Sequence, residues 1–258
     1  MRDVGKLQVP IGSRIFGLLC DWVRMTRSLQ GLVVAVIGAS GGLGTPIARQ
    51  LLQRGAKLIL VGPRIDRLVA LQHELGEQHA AVVVADLRDA RCGDLIVAAA
   101  DRIGRLDGVI NAAGLVGFGS LLDTPDELIE ELFLVNTLGP LWMLKRVAPM
   151  LGATKGFVVN ISAVVAEAPL PNMAAYSASK AALTAADSAL SREFRRMGIS
   201  VCDVRPPHTE TGLAQHPITG VAPKLPTGLA SDFVAHVIIA AIESGETDVP
   251  STAFLAPS

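Results

Sequence analysis

The chain has 258 residues, half of them hydrophobic, with a formal net charge of −1. Such a length suits one large α/β domain or two small ones and is ample for a buried core, while the charge balance argues against nucleic acid as a partner, which needs a basic face. Cys20, Cys92 and Cys202 are too far apart for a disulfide framework or a metal site, the histidines show no ligand spacing, so no metal is expected, and no apolar run approaches the ~20 residues of a membrane span.

Residues 1–30 form an N-terminal appendage in which Ile11, Ile15, Leu18, Leu19, Trp22 and Val23 recur at helical spacing. Three readings stay open: an amphipathic helix making membrane or subunit contact through residues 1–24, a short segment packed on the domain, or a start at Met25. The membrane reading is the less favoured. From residue 32 the pattern changes. Residues 32–37 are a continuous apolar run, as a strand buried on both faces requires. Residues 45–54 read as a helix with Ile47, Ala48, Leu51 and Leu52 on one side and Gly55 just past its end. Strands follow at 57–61 and 81–85 around a helix at 67–75, then a helix at 93–103 and a strand containing Val109 and Ile110. Residues 125–150 form one long helical region, bent near Gly139-Pro140. A strand at 157–161, a long helix at 174–197, a strand at 200–204, a helix at 232–244 and a closing strand from Val249 complete the series. This alternation means a doubly wound parallel sheet in three α/β/α layers, in one domain over residues 31–258. The segment 206–228, with five prolines, is long for a plain connection and reads as a lid or binding loop.

The turn Gly38-Ala39-Ser40-Gly41-Gly42-Leu43-Gly44 follows the first strand and opens the first helix. Glycine permits a tight turn and close backbone approach to a pyrophosphate, and the helix N-terminus adds unpaired N–H groups. The spacing G-x-x-x-G-x-G resembles that of the short-chain dehydrogenase/reductase family, whose fold is Rossmann-type; Ile37 stands where the family has Thr. Further resemblances follow in order over most of residues 31–213. Asp86-Leu87 resembles the family's adenine-binding Asp. Asn111-Ala112-Ala113-Gly114 resembles its Asn-Asn-Ala-Gly, and Asn136-Thr137-Leu138-Gly139 its Asn-x-x-Gly. Tyr176-Ser177-Ala178-Ser179-Lys180 matches its Tyr-x-x-x-Lys. Pro206-Pro207-His208-Thr209-Glu210-Thr211 resembles its Pro-Gly-x-x-x-Thr, with Pro207 in place of Gly.

The resemblance implies a nicotinamide cofactor, NADP(H) or NAD(H), contacted by these motifs and by Thr211. Gly62 stands where NAD-preferring relatives carry Asp, and Arg64 suits a 2′-phosphate, so NADP(H) is favoured. It implies Tyr176 as the proton-transfer group, with Lys180 lowering its pKa and holding the ribose, and Asn136 holding a water. Tyr176 and Lys180, four residues apart on a helix, share a face. The family's catalytic Ser falls on Ala163; Ser162, one residue away, replaces it only if the strand end bulges or the loop is one residue longer. Leu115, Val116, Phe118, Leu170, Met173 and the apolar lid residues Leu213, Ile218, Val221 and Leu225 suggest an apolar substrate. The expected function is interconversion of an alcohol and a carbonyl on a small molecule, in the cytoplasm, by a homodimer or homotetramer. The rival is a cofactor-binding sensor or scaffold of the same fold, suggested by Ile37, Ala163 and Pro207.

Overall fold

Strand β1 (Val33–Ile37) is buried at every position. Its side chains alternate between two cores: Val34 and Val36 enter one, Val33, Ala35 and Ile37 the other. This explains why the run is apolar throughout rather than alternating. The computed structural model describes residues 27–255, so the helix expected within residues 1–24 lies outside the described residues.

The chain then winds through α1 (Gly44–Gln53), β2 (Lys57–Gly62), α2 (Ile65–Leu75), β3 (Ala80–Val84), α3 (Cys92–Ile103) and β4 (Gly108–Asn111). Next come α4 (Asp126–Phe133), α5 (Gly139–Thr154), β5 (Phe157–Ile161), α6 (Ala174–Glu193) and β6 (Ser200–Val204). The short strands β7 (Thr209–Glu210) and β8 (Leu229–Ala230), helix α7 (Ser231–Ser244) and β9 (Asp248–Val249) finish it. Seven strands form one sheet in the order β3-β2-β1-β4-β5-β6-β9, every neighbouring pair parallel. Helices α1 and α7 pack together on one face and α3 and α5 on the other. The sheet is therefore doubly wound, with the strand order reversing between β1 and β4. In such a sheet the ends of those two strands leave a crevice, and ligands bind there.

Two local departures bear on the site. The expected 125–150 helix is interrupted: α4 and α5 are joined by a π turn, Leu134–Leu138, just before the expected bend at Gly139-Pro140. A π turn inserts an extra residue into the ladder and is frequent at functional positions; Asn136 sits at its centre, buried. The helix expected to run to Met197 ends at Glu193 and tightens into a 3-10 turn, Phe194–Met197. Among the described residues no helix is long and apolar enough to cross a membrane.

Candidate active site

A cleft of about 670 Å³ opens at the carboxyl ends of the strands. Its floor is the glycine turn after β1. Gly38 has φ +73°, open to glycine with little strain, and a Cβ there would lie 2.9 Å from the Ala113 nitrogen. The turn is thus pressed against the end of β4. Gly44 supports it from behind: its Cβ would lie 2.1 Å from the Gly38 carbonyl oxygen. The amides of Gly42 and Leu43 donate no hydrogen bond among the described residues, and the first turn of α1 carries no acid. These features fit the pyrophosphate of a dinucleotide, which needs free N–H groups and no opposing carboxylate. Gly42 also allows the segment after β6 to close over the turn, since a Cβ there would lie 2.1 Å from the Thr211 carbonyl oxygen.

The residues expected to bind cofactor divide in two. Gly38, Ser40, Gly41, Gly42, Leu43, Arg64, Asp86, Leu87, Ala112, Ala113, Gly114, Tyr176, Lys180 and Thr211 line this one cleft. Gly44 and Asn111 stand behind its wall. Gly44 braces the turn, and Asn111 gives its amide oxygen to the Ala113 N–H and donates to the Asn160 amide oxygen on β5, 3.3 Å in each case. The cleft also gains Pro63, Arg67 and Arg88, which the sequence motifs do not mark. Arg64 and Arg67 are exposed, one helical turn apart at the start of α2, and neither has an ion-pair partner among the described residues. Their spacing was the available signal for Arg67. Gly62 is not empty for lack of room, because a Cβ there would meet Leu68 at an ordinary 3.6 Å. Asp86 shares its carboxylate with Arg88, accepting from its backbone N–H at 2.9 Å and its guanidinium at 2.8 Å.

Tyr176 and Lys180 lie on α6 and face the cleft together. Burial pushes the phenol above its ordinary value, and no opposing cause holds it down. Lys180 donates to the Ile161 carbonyl at 2.8 Å, leaving two of its three protons. Burial pulls its pKa down to about 8, against the attraction of Asp203 and Asp187. Asn136 is not on the cleft surface. Its amide oxygen accepts from the Leu115 N–H at 2.9 Å, and its nitrogen donates to the Leu115 carbonyl and the Ser179 hydroxyl, both at 3.0 Å. Both amide protons are taken, so its side chain ties the loop after β4 to α6. It has only one remaining acceptor lone pair with which to meet a water.

Ser162 reaches the cleft wall, but its hydroxyl donates to Asp203 at 2.7 Å and accepts from Thr184 at 3.0 Å. Its single donor proton is committed to β6. No bulge or added residue turns it toward Tyr176, because Ser162 still pairs in register through its N–H to the Val204 carbonyl at 2.8 Å. Ala163 lines the cleft in extended backbone and offers a methyl group. His208 also lines the cleft, with Nε2 3.5 Å from a Glu210 carboxylate oxygen.

The remaining wall is apolar. Val116, Phe118, Val165 and Met173 form a buried cluster with Tyr176, and Leu170, Leu213 and Leu225 complete the mouth. Ile218 packs against this cluster without lining the cleft, and Val221 does not line it. The segment 206–228 is stitched over the loop after β4 by two backbone bonds: the Phe118 N–H to Thr219 at 3.0 Å, and the Ile218 N–H to Val116 at 2.9 Å.

Residues 32–219 match the short chain dehydrogenase family. The chain is 31% identical over 208 residues to an uncharacterized oxidoreductase of Staphylococcus epidermidis, covering 80% of this chain and 90% of that protein. It is 33% identical over 217 residues to dehydrogenase/reductase SDR family member 7B of Mus musculus, covering 80% of this chain and 67% of that one. Among solved structures, a short-chain dehydrogenase from Burkholderia cenocepacia in complex with NADP superposes with a TM-score of 0.76 at 27% identity, over 87% of this chain and 90% of that one. One from Sphingobium yanoikuyae in complex with NADPH gives 0.77 at 28% identity, over 85% and 87%. With its reversed strand order, glycine turn and paired Tyr176 and Lys180, the chain belongs to the short-chain dehydrogenase/reductase family.

Proposed function

We propose that this oxidoreductase reduces the carbonyl of an apolar small molecule to the alcohol, reversibly, with NADP(H) preferred to NAD(H). The observation that carries the reading is the meeting of Tyr176, Lys180 and the glycine turn on the surface of one cleft. The bound dinucleotide supplies hydride chemistry at its nicotinamide. The residues do the rest. Tyr176 keeps its proton at neutral pH because burial disfavours the phenolate, and donates it to the carbonyl oxygen. The two spare protons of Lys180 serve the nicotinamide ribose. Asn136 is a positioning residue that fixes Leu115 and α6. Arg64 and Arg67, with no acid at Gly62, suit a 2′-phosphate. The apolar wall admits a hydrocarbon-rich substrate, and residues 206–228 serve as its lid. A homodimer or homotetramer through α4–α5 and α6, in the cytoplasm, belongs to the same reading by family resemblance.

A second reading, a cofactor-binding sensor that has lost turnover, is favoured by one observation: Ala163 brings no hydroxyl and that of Ser162 is committed to Asp203. A panel of apolar ketones and aldehydes, followed by oxidation of NADPH and NADH, separates the two. The enzyme reading expects turnover with NADPH that falls at least about 100-fold in Tyr176→Phe. Tight NADPH binding with no turnover on any carbonyl overturns it in favour of the sensor.

A further inference from the structure

Behind Lys180, away from the cleft, lies a polar layer that the reaction as described does not use. Tyr176, Lys180, Thr184 and Asp187 recur at i, i+4, i+8 and i+11, a single stripe along α6 that is buried except at half-buried Thr184. Three successive residues at the end of β5 meet it. The Asn160 amide donates to Asp187 at 2.6 Å, the Ile161 carbonyl accepts from Lys180 at 2.8 Å, and the Ser162 hydroxyl donates to Asp203 at 2.7 Å while Thr184 donates to Ser162. Asp187 and Asp203 are 2% and 5% exposed, and the second carboxyl oxygen of Asp187 has no hydrogen-bond partner. An acid so deeply buried is expensive to maintain, and an unpartnered oxygen adds to that expense. Among the described residues no cation contacts it directly.

We propose that Asp187 and Asp203 are positioning residues that hold Lys180 in its ammonium form, as counter-groups behind it. The charged and titratable groups around them are few. On α6 there are Tyr176 and Lys180, and on β6 Cys202 and Arg205. Glu167 and Asp248 reach the layer through Arg205, which also pairs with Asp203. β5 supplies only the neutral Asn160 and Ser162. Lys180 is attracted by both acids. Burial raises the Asp187 carboxyl above its ordinary value and lowers the Lys180 ammonium below its own. Where Asp187 is ionised it adds a carboxylate that resists loss of the Lys180 proton.

This inference rests on reading Lys180 as part of the proton-handling site, but its test needs no substrate. The chain has six lysines. With 15N-lysine incorporated, the Lys180 Nζ resonance, identified as the one missing in Lys180→Arg, gives its titration midpoint directly in the full protein. Asp203→Asn keeps an acceptor for Ser162 and should lower the midpoint by on the order of one pH unit. Asp187→Asn keeps an acceptor for Asn160 and should lower it less. Thr184→Val removes a hydrogen bond without removing a charge and should leave it in place. An unchanged midpoint in both aspartate variants, or an equal fall in Thr184→Val, overturns the proposal. Absence of turnover on the carbonyl panel alongside a shifted midpoint would instead fault the enzymatic reading.

Discussion

Ala163 is the residue at which this chain departs furthest from its family's chemistry. With Ser162 bound to Asp203, the proposed reaction leaves Tyr176 to polarise the carbonyl alone. Loss of one preorganised donor costs about 3 kcal/mol at a transition state in other enzymes. Ala163→Ser should therefore raise kcat on the best carbonyl of the panel by about tenfold or more, with cofactor affinity unchanged. A kcat equal to wild type would show that a donor at this position contributes nothing. The parity of the strand made the problem legible beforehand: Ser162 shares a face with Asn160, toward α6, and an in-register strand cannot present it elsewhere. What decided the matter, the acid on β6, was not legible, because nothing local marks Asp203 as the partner of a residue 41 positions earlier. Likewise Tyr176 and Lys180 stood out as a motif, whereas Thr184 and Asp187 carry the same helical spacing onward but match no pattern.

At the scale of elements, two connections carry the account. Arg205 ties β6 to β9 and to the turn after β5, pairing with Asp203, Asp248 and Glu167. Arg205→Met would leave the buried Asp203 charge without its cation and should destabilise the protein by about 3 kcal/mol or more. Chemical denaturation measures this; a loss below about 1 kcal/mol would mean that the network is replaceable. In the proposed reading the start of α2 sets cofactor choice. Replacing Arg64 and Arg67 together by Ala should weaken NADPH binding while leaving NADH binding nearly unchanged, as read by titration of nicotinamide fluorescence. Equal loss for both cofactors would contradict a 2′-phosphate contact. The strands and most helices were legible from apolar runs and glycine stops. The π turn at Leu134–Leu138 was not, because an inserted residue leaves no mark on composition, and the helical periodicity resumes on either side of it. The irregularity expected near Gly139-Pro140 falls just before it, in this insertion.

For the molecule as a whole, buried ionisable groups make stability depend on pH. Asp187 is raised from 3.8 to about 8, so between those values the folded state binds more protons than the unfolded one, and its contribution to stability falls as pH rises. Lys180 is lowered from 10.5 to about 8, so in the window above 8 the unfolded state binds more protons, and its contribution rises with pH. Asp187→Asn removes the first dependence. Its melting temperature should gain on wild type as pH goes from about 5 to about 8, and a constant difference across that range would show that Asp187 titrates normally. The overall architecture was legible because every level agreed: buried parallel strands, a glycine turn after the first, and motifs in family order. The 206–228 segment was legible as a long irregular stretch, but not its fastening to Val116 and Phe118, which depends on backbone pairing between distant loops.

The claim on which the rest depends is that the phenol of Tyr176 and the ammonium of Lys180 face the reactive end of a nicotinamide held by the glycine turn. A crystal structure of the protein with NADPH measures this directly. The account predicts the pyrophosphate on the Gly42 and Leu43 amides, Lys180 at the nicotinamide ribose, and the Tyr176 oxygen bordering a space beside C4 from which a carbonyl sits within about 3.5 Å of both. A dinucleotide bound with its nicotinamide away from Tyr176, or not in this cleft at all, would contradict it.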